Sequence, residues 1–270
     1  MGAMDLHLTS GDGTPLVARR SPGTGVPVVL VHGSGGGLHS WDPVVAHLPD
    51  DVETWAYARR GFAPSGPCTS PKTFDDDADD LAAVVAAAGG HAHVLGGSYG
   101  ATVALHHALA HPGGVATLSV FEPPLFAAGP RLVPVLGEYR ALADADRPSQ
   151  AALLFARDVA RLPEDLVAAA PPAADGPPSD EARAEMVGNL HDLEAMAADD
   201  GDLGRWAGID VPVTLLEGAE TWSPMPETMD ALAMVLARVR RVRWPGQSHF
   251  AAFTAPELVA AALLETVRAG

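Results

Sequence analysis

Ala92-His93-Val94-Leu95-Gly96-Gly97-Ser98-Tyr99-Gly100-Ala101-Thr102-Val103-Ala104 holds the pattern on which the reading of this chain turns. The run from Ala92 to Leu95 is short and apolar, which predicts a buried strand. The residues from Ala101 to Ala110 predict a helix. Between the two lies Gly-x-Ser-x-Gly, centred on Ser98. A serine at a sharp strand-to-helix turn sits in strained backbone. Glycines are needed beside it because a Cβ there would strike the neighbouring strand or helix. The turn lifts the hydroxyl into the open at the positive end of the helix dipole, which is how a serine is presented as a nucleophile.

Working outward, Val26-Pro27-Val28-Val29-Leu30-Val31 is nearly continuous and β-branched, as in a strand buried on both faces. Thr54–Ala58, Ala116–Phe121, Val211–Leu216 and Arg240–Trp244 predict further strands. Phe74–Ala88 predicts a helix, with acids in its first turn and Gly89-Gly90 after it. A last helix is expected over Pro256–Arg268. Strands alternating with helices predict an α/β fold whose sheet is mostly parallel and covered on both faces. Asp5–Thr9 and Pro15–Arg19 alternate as an antiparallel edge hairpin. From Leu125 to Trp206 the strand pattern is absent. Helical stretches such as Gln150–Arg161 and Glu181–Met196 are interrupted by Pro171-Pro172 and Pro177-Pro178. Residues 125–206 are thus expected to form a helical insertion in a core made of 1–124 and 207–270.

The 270 residues are 47% hydrophobic and 19% charged, with a mean hydropathy of +0.11, enough for a large core. No apolar run reaches the roughly 20 residues that cross a bilayer, and no signal-peptide pattern opens the chain; a soluble, cytoplasmic protein is expected. Its net charge of -17 disfavours nucleic acid and anionic membranes, both of which need basic surface. A small-molecule substrate is the expected partner, and oligomeric state is left open. Cys68 is the one cysteine, so neither a disulfide framework nor a cysteine metal site can form. No His, Asp and Glu spacing resembles a metal site. Lys72 is the one lysine.

A serine nucleophile needs a base, a carboxylate to orient that base, and N–H donors for the oxyanion. Among 11 histidines, His249 is the candidate base, because it lies between the last strand and the last helix, at the carboxyl edge of a parallel sheet. Two acids follow strands at that same edge. Glu122 stands before Pro123-Pro124, which hold the chain extended, and Glu220 follows Leu215–Ala219. Either can serve, with Glu122 preferred. One oxyanion donor is expected from the N–H of Tyr99. The other is expected from the loop Gly33-Ser34-Gly35, with Ser34 first and Gly35 next. His32 is expected to orient that loop. Trp206, Phe126, Leu132, Val135, Leu136 and Tyr139 can either line an apolar pocket or pack helices.

These motifs, in this order, resemble those of the α/β-hydrolase superfamily: His32-Gly33, Arg60-Gly61-Phe62-Ala63-Pro64-Ser65, the Ser98 turn, and Gly246–His249. The resemblance covers nearly the whole chain. It implies an eight-stranded, mostly parallel sheet, a Ser–acid–His triad, no cofactor and a helical cap between the sixth and seventh strands. The chain departs from the pattern in three places. Arg59 stands where Asp usually precedes Arg-Gly, and Gly97 stands where a side chain is common. Thr221 holds the usual position of the acid after the seventh strand, with Glu220 one residue short. Haloalkane dehalogenases of the superfamily often carry a Glu just after the sixth strand, which Glu122 matches. The resemblance implies a serine hydrolase of esters or thioesters. A lyase, cyclase or acyl-transfer enzyme on the same pair, or a ligand-binding receptor, are its alternatives.

Overall fold

The computed structural model describes residues 2–68, 71–169 and 177–269; Pro171-Pro172 lie outside them. The described residues contain eight strands: β1 (Met4–Thr9), β2 (Pro15–Ser21), β3 (Thr24–Val31), β4 (Val52–Ala58), β5 (Ala92–Gly97), β6 (Val115–Phe121), β7 (Val213–Gly218) and β8 (Val239–Trp244). The helices are α1 (Asp42–Val45), α2 (Phe74–Ala87), α3 (Tyr99–Ala110), α4 (Val133–Asp144), α5 (Pro148–Leu154), α6 (Glu164–Ala168), α7 (Asp180–Ala198), α8 (Met225–Val235), α9 (Ala251–Thr254) and α10 (Pro256–Ala269). The strands form one sheet in the order β1-β2-β4-β3-β5-β6-β7-β8. β1 and β2 are the antiparallel edge, and β2 also pairs antiparallel with β4; the other pairings are parallel.

Alternate residues of β3 face opposite cores, as the two-residue period of a strand requires. Val29 and Val31 join the cluster under α2 and α3, while Val28 and Leu30 join the cluster under α1, α9 and α10. This is why Val28–Val31 reads as one continuous apolar run. α2 starts where Thr73 and Asp76 exchange hydrogen bonds: the Thr73 N–H donates to Asp76 Oδ2 (2.7 Å) and the Asp76 N–H to Thr73 Oγ1 (3.3 Å). No helix of the described residues is long and apolar enough to cross a membrane.

The described residues of 125–206 lie between β6 and β7 and carry α4 to α7 and no strand. The helix expected over Gln150–Arg161 starts at Pro148 and widens into a π-helical turn at Phe155–Val159. The helix ends there, and the Ala160 carbonyl accepts from Trp222 Nε1 (2.9 Å). β7 starts two residues later than its apolar pattern, at Val213, because Pro212 has no N–H to give a ladder.

Two buried histidines make this fold sensitive to acid. Burial, with Arg59 close by, pushes His32 down to about 3, and burial pushes His107 down to about 4, against an ordinary 6.5. Between those limits the unfolded chain binds protons that the folded chain does not. Stability therefore falls as pH drops below 6.5, by up to about 1.4 kcal/mol per pH unit for each ring. Thermal midpoints measured from pH 7 down to 4.5 are expected to fall steadily, and His107→Gln is expected to make the slope shallower. An unchanged slope in the variant would mean that His107 is charged in the folded protein.

Candidate active site

Ser98 joins β5 to α3 with φ 54° and ψ −124°, a conformation that costs a non-glycine residue on the order of 1–3 kcal/mol. Close packing on either side explains why Gly96 and Gly100 tolerate no side chain. A Cβ on Gly96 would collide with the backbone of Gly100 and Ala101, and one on Gly100 would collide with the backbone of Val31 and His32. The Ser98 N–H donates to Phe121 O (2.8 Å), which ties the turn to the end of β6.

The next residue after β6, Glu122, also has positive φ (45°) and is fully buried. Its Oε1 accepts from the Gly218 N–H (2.8 Å). Its Oε2 accepts from Thr221 Oγ1 (2.9 Å) and from His249 Nδ1 (2.6 Å). Carboxylate oxygens only accept, so the imidazole hydrogen sits on Nδ1 and the lone pair on Nε2. The His249 ring is wedged between Phe121 and Trp222, with centroids at 5.9 Å and 5.6 Å. Glu220 is exposed instead. Its N–H donates to Gln247 O (2.7 Å), and among the described residues its carboxylate makes no hydrogen bond to His249.

The loop after β3 lies on the other side of Ser98. A Cβ on Gly33 would stand 3.1 Å from Ser98 Cβ, so the loop backbone comes close to Ser98. His32 is buried and neutral beneath it: Nδ1 donates to Gly33 O (2.7 Å) and Nε2 accepts the Arg59 N–H (3.0 Å). Gly35, with φ 65°, has its N–H committed to Asn189 Oδ1 (2.7 Å). That removes it as the second choice of oxyanion donor. Among the described residues the N–H groups of Ser34 and Tyr99 have no hydrogen-bond partner.

Two cavities meet at Ser34, Gly35, Ser98, His249 and Phe250. One, of about 360 Å³, is walled by Phe155, Val159, Leu162, Met196, Trp222 and Met225. The other, of about 400 Å³, reaches Trp41, Phe121 and Phe253. Ser98 and His249 share both, and no hydrogen bond joins them; such bonds are often long before substrate is bound. Among the described residues neither wall includes a lysine or arginine, and Glu185 is the one carboxylate. Leu132, Leu136, Tyr139 and Trp206 are buried in the core and Val135 packs against it, so helix packing holds for these five; Phe126 is exposed, and none of the six lines these cavities. Asn189, Thr221 and Trp222 are site residues that the motifs did not flag. Thr221 carried the one available signal, since it stands where an acid is usual. Among the described residues no group of three or more His, Cys, Asp or Glu is arranged to hold a metal ion.

Comparison with known proteins agrees with this architecture. The alpha/beta hydrolase family matches residues 28–262. The chain is 30% identical to an alpha/beta hydrolase from Sphaerobacter thermophilus of known structure, with a TM-score of 0.82 over 97% of this chain and 100% of that one. An enol-lactonase from Burkholderia xenovorans shares the fold at 22% identity, with a TM-score of 0.73 over 97% of this chain and 100% of that one. "Putative carbamate hydrolase RutD" of Azorhizobium caulinodans is 34% identical over 99 residues, 36% of this chain and 37% of that protein. The chain thus spans little more than a third of the length of that curated relative. The match over most of the chain is decisive: this protein belongs to the alpha/beta hydrolase family.

Proposed function

We propose that this protein hydrolyses esters or thioesters of small to medium apolar acids through a Ser98–His249–Glu122 triad. The observation that carries the reading is the 2.6 Å contact between His249 Nδ1 and the buried Glu122, beside a serine held at φ 54°. His249 Nε2 takes the proton of Ser98 as Oγ attacks the carbonyl carbon. The Ser34 and Tyr99 N–H groups receive the oxyanion. Glu122 offsets the charge of the imidazolium without taking its proton. His249 then protonates the departing alcohol or thiol, leaving an acyl-enzyme. Water, deprotonated by the same Nε2, releases the acid.

Two cavities meeting at Ser98 suit a substrate with an arm on each side of the scissile bond. Residues of 125–206 wall the first, which supports reading that segment as a cap. The near-absence of charge in both walls supports a neutral substrate.

A fluorophosphonate is expected to add its mass at Ser98, and Ser98→Ala to lose p-nitrophenyl butyrate hydrolysis. Labelling elsewhere, or turnover surviving in the variant, would sink the assignment. Glu122→Gln is expected to lower kcat about 10³–10⁴-fold, the scale seen when a triad acid is neutralised. Glu220→Gln should stay within about twofold of the parent, a surface acid being outside the triad; the reverse order would transfer the role to Glu220.

The cavity walls generate a further expectation. The mono-p-nitrophenyl ester of glutaric acid should have a kcat/KM about 100-fold below that of p-nitrophenyl butyrate, because its carboxylate finds no cationic partner. Equal values would refute the neutral-substrate reading.

A further inference from the structure

Behind the catalytic loop, two cations and two anions are buried together. Arg59, at the end of β4, grips Asp192 of α7 with both arms: Nη1 to Oδ1 at 2.8 Å and Nη2 to Oδ2 at 2.7 Å. Lys72 Nζ bridges Asp192 Oδ1 (2.8 Å) and Asp77 Oδ2 of α2 (2.9 Å), and Arg59 Nη1 lies 3.6 Å from Asp77. The side chains of Arg59, Asp77 and Asp192 are fully buried and that of Lys72 is 2% exposed. Burial alone would raise the Asp192 carboxyl; Arg59 and Lys72 outweigh it and hold it below the usual carboxylate range. The group is electrically balanced, two against two.

Two further bonds reach from this quartet toward the nucleophile. Ser34 Oγ donates to Asp192 Oδ2 at 2.7 Å, and Tyr99 Oη donates to Asp77 Oδ2 at 2.8 Å. The Arg59 guanidinium covers the Tyr99 ring at 4.3 Å and also donates to the carbonyls of His32 (3.0 Å) and Gly33 (3.2 Å). The two residues whose N–H groups are left without partners beside Ser98 therefore have their side chains fastened to the same charges.

We propose that Asp192 and Asp77 are positioning residues for the oxyanion hole. Asp192 acts through the Ser34 hydroxyl and Asp77 through the Tyr99 phenol, with Arg59 and Lys72 holding both anions in register. Seating of α7 and alignment of the Ser34 donor are then one event, since Asp192 belongs to α7. The inference rests on the proposed role of Ser34 and Tyr99 in receiving the oxyanion. It goes further in assigning a catalytic consequence to residues that never meet the substrate.

Ser34→Ala and Tyr99→Phe cut the two tethers while keeping both backbone N–H groups and leaving all four charges paired. With p-nitrophenyl butyrate, each is expected to lower kcat about tenfold, less than the loss of a whole donor, with KM within about twofold. A phenylboronic acid, which forms a tetrahedral adduct on the nucleophile, should lose affinity by the same factor, while butyrate as product inhibitor should not. Ser34→Thr, which retains a hydroxyl, should recover most of the loss. Values of kcat and boronate affinity within twofold of the parent in both variants would overturn the proposal and leave the quartet a structural element. A rise in KM with kcat kept would overturn it too, making the Ser34 hydroxyl a substrate contact. Ser98→Ala is run alongside: hydrolysis surviving in it overturns the underlying serine mechanism instead, so the two failures are told apart.

Discussion

The backbone at Ser98 is the constraint on which the rest depends. A non-glycine residue at φ 54° relaxes unless its surroundings prevent it. Here the Ser98 N–H is bound to the end of β6, its carbonyl accepts from the first turn of α3, and bare Cα atoms at Gly96 and Gly100 allow strand, turn and helix to close to backbone contact. Because the Ser98 N–H is bound to Phe121, the turn also fixes where β6 ends. The residue after that bond is Glu122, itself bent to positive φ and aimed across the sheet edge at His249. Ser98 and Glu122 are thus placed by one pair of adjacent strand ends, and His249 is brought to Glu122 by the loop after β8.

The Glu122 carboxylate is held from the ends of two neighbouring strands. After the seventh strand the chain offers an exposed carboxylate, Glu220, and next to it Thr221. The Thr221 hydroxyl donates to Glu122 Oε2, the same oxygen that receives His249 Nδ1. The Gly218 N–H holds the other oxygen. The β7 edge thus contributes donors to an acid supplied by β6, and the carboxylate has no freedom to swing away from the imidazole.

Most of the sheet was readable from the chain because its signals are local. The edge hairpin, the apolar run ending at Val31, the glycine-flanked serine and the acid-capped start of α2 each lie within one short stretch of sequence, the longest being the hairpin from Met4 to Ser21. Glu122, Glu220 and His249 could be put forward because all three follow strands at one edge of a parallel sheet. What was not readable depends on contacts between distant segments. Asp192 reaches Arg59 across 133 residues and Ser34 across 158, and Asn189 reaches Gly35 across 154. Nothing in the local pattern of α7 separates these two from its solvent-facing acids. The π-helical turn at Phe155–Val159, which brings Phe155 and Val159 to the cavity wall, likewise has no period that distinguishes it from the helix before it.

The placement of Asp192 has a consequence for the architecture as a building kit. Helical segments inserted between β6 and β7 look like interchangeable attachments on a self-sufficient sheet. In this chain the attachment carries one of the two counter-ions of the host. Removing or exchanging it strands a guanidinium and an ammonium in the interior with one carboxylate between them, and leaving a buried charge uncompensated costs about 3–5 kcal/mol. A transplanted segment would have to bring an acid to the place of Asp192, or Arg59 and Lys72 would have to be replaced together by apolar residues. In this protein, exchanging the inserted helices is therefore also a change to the buried charges of the sheet.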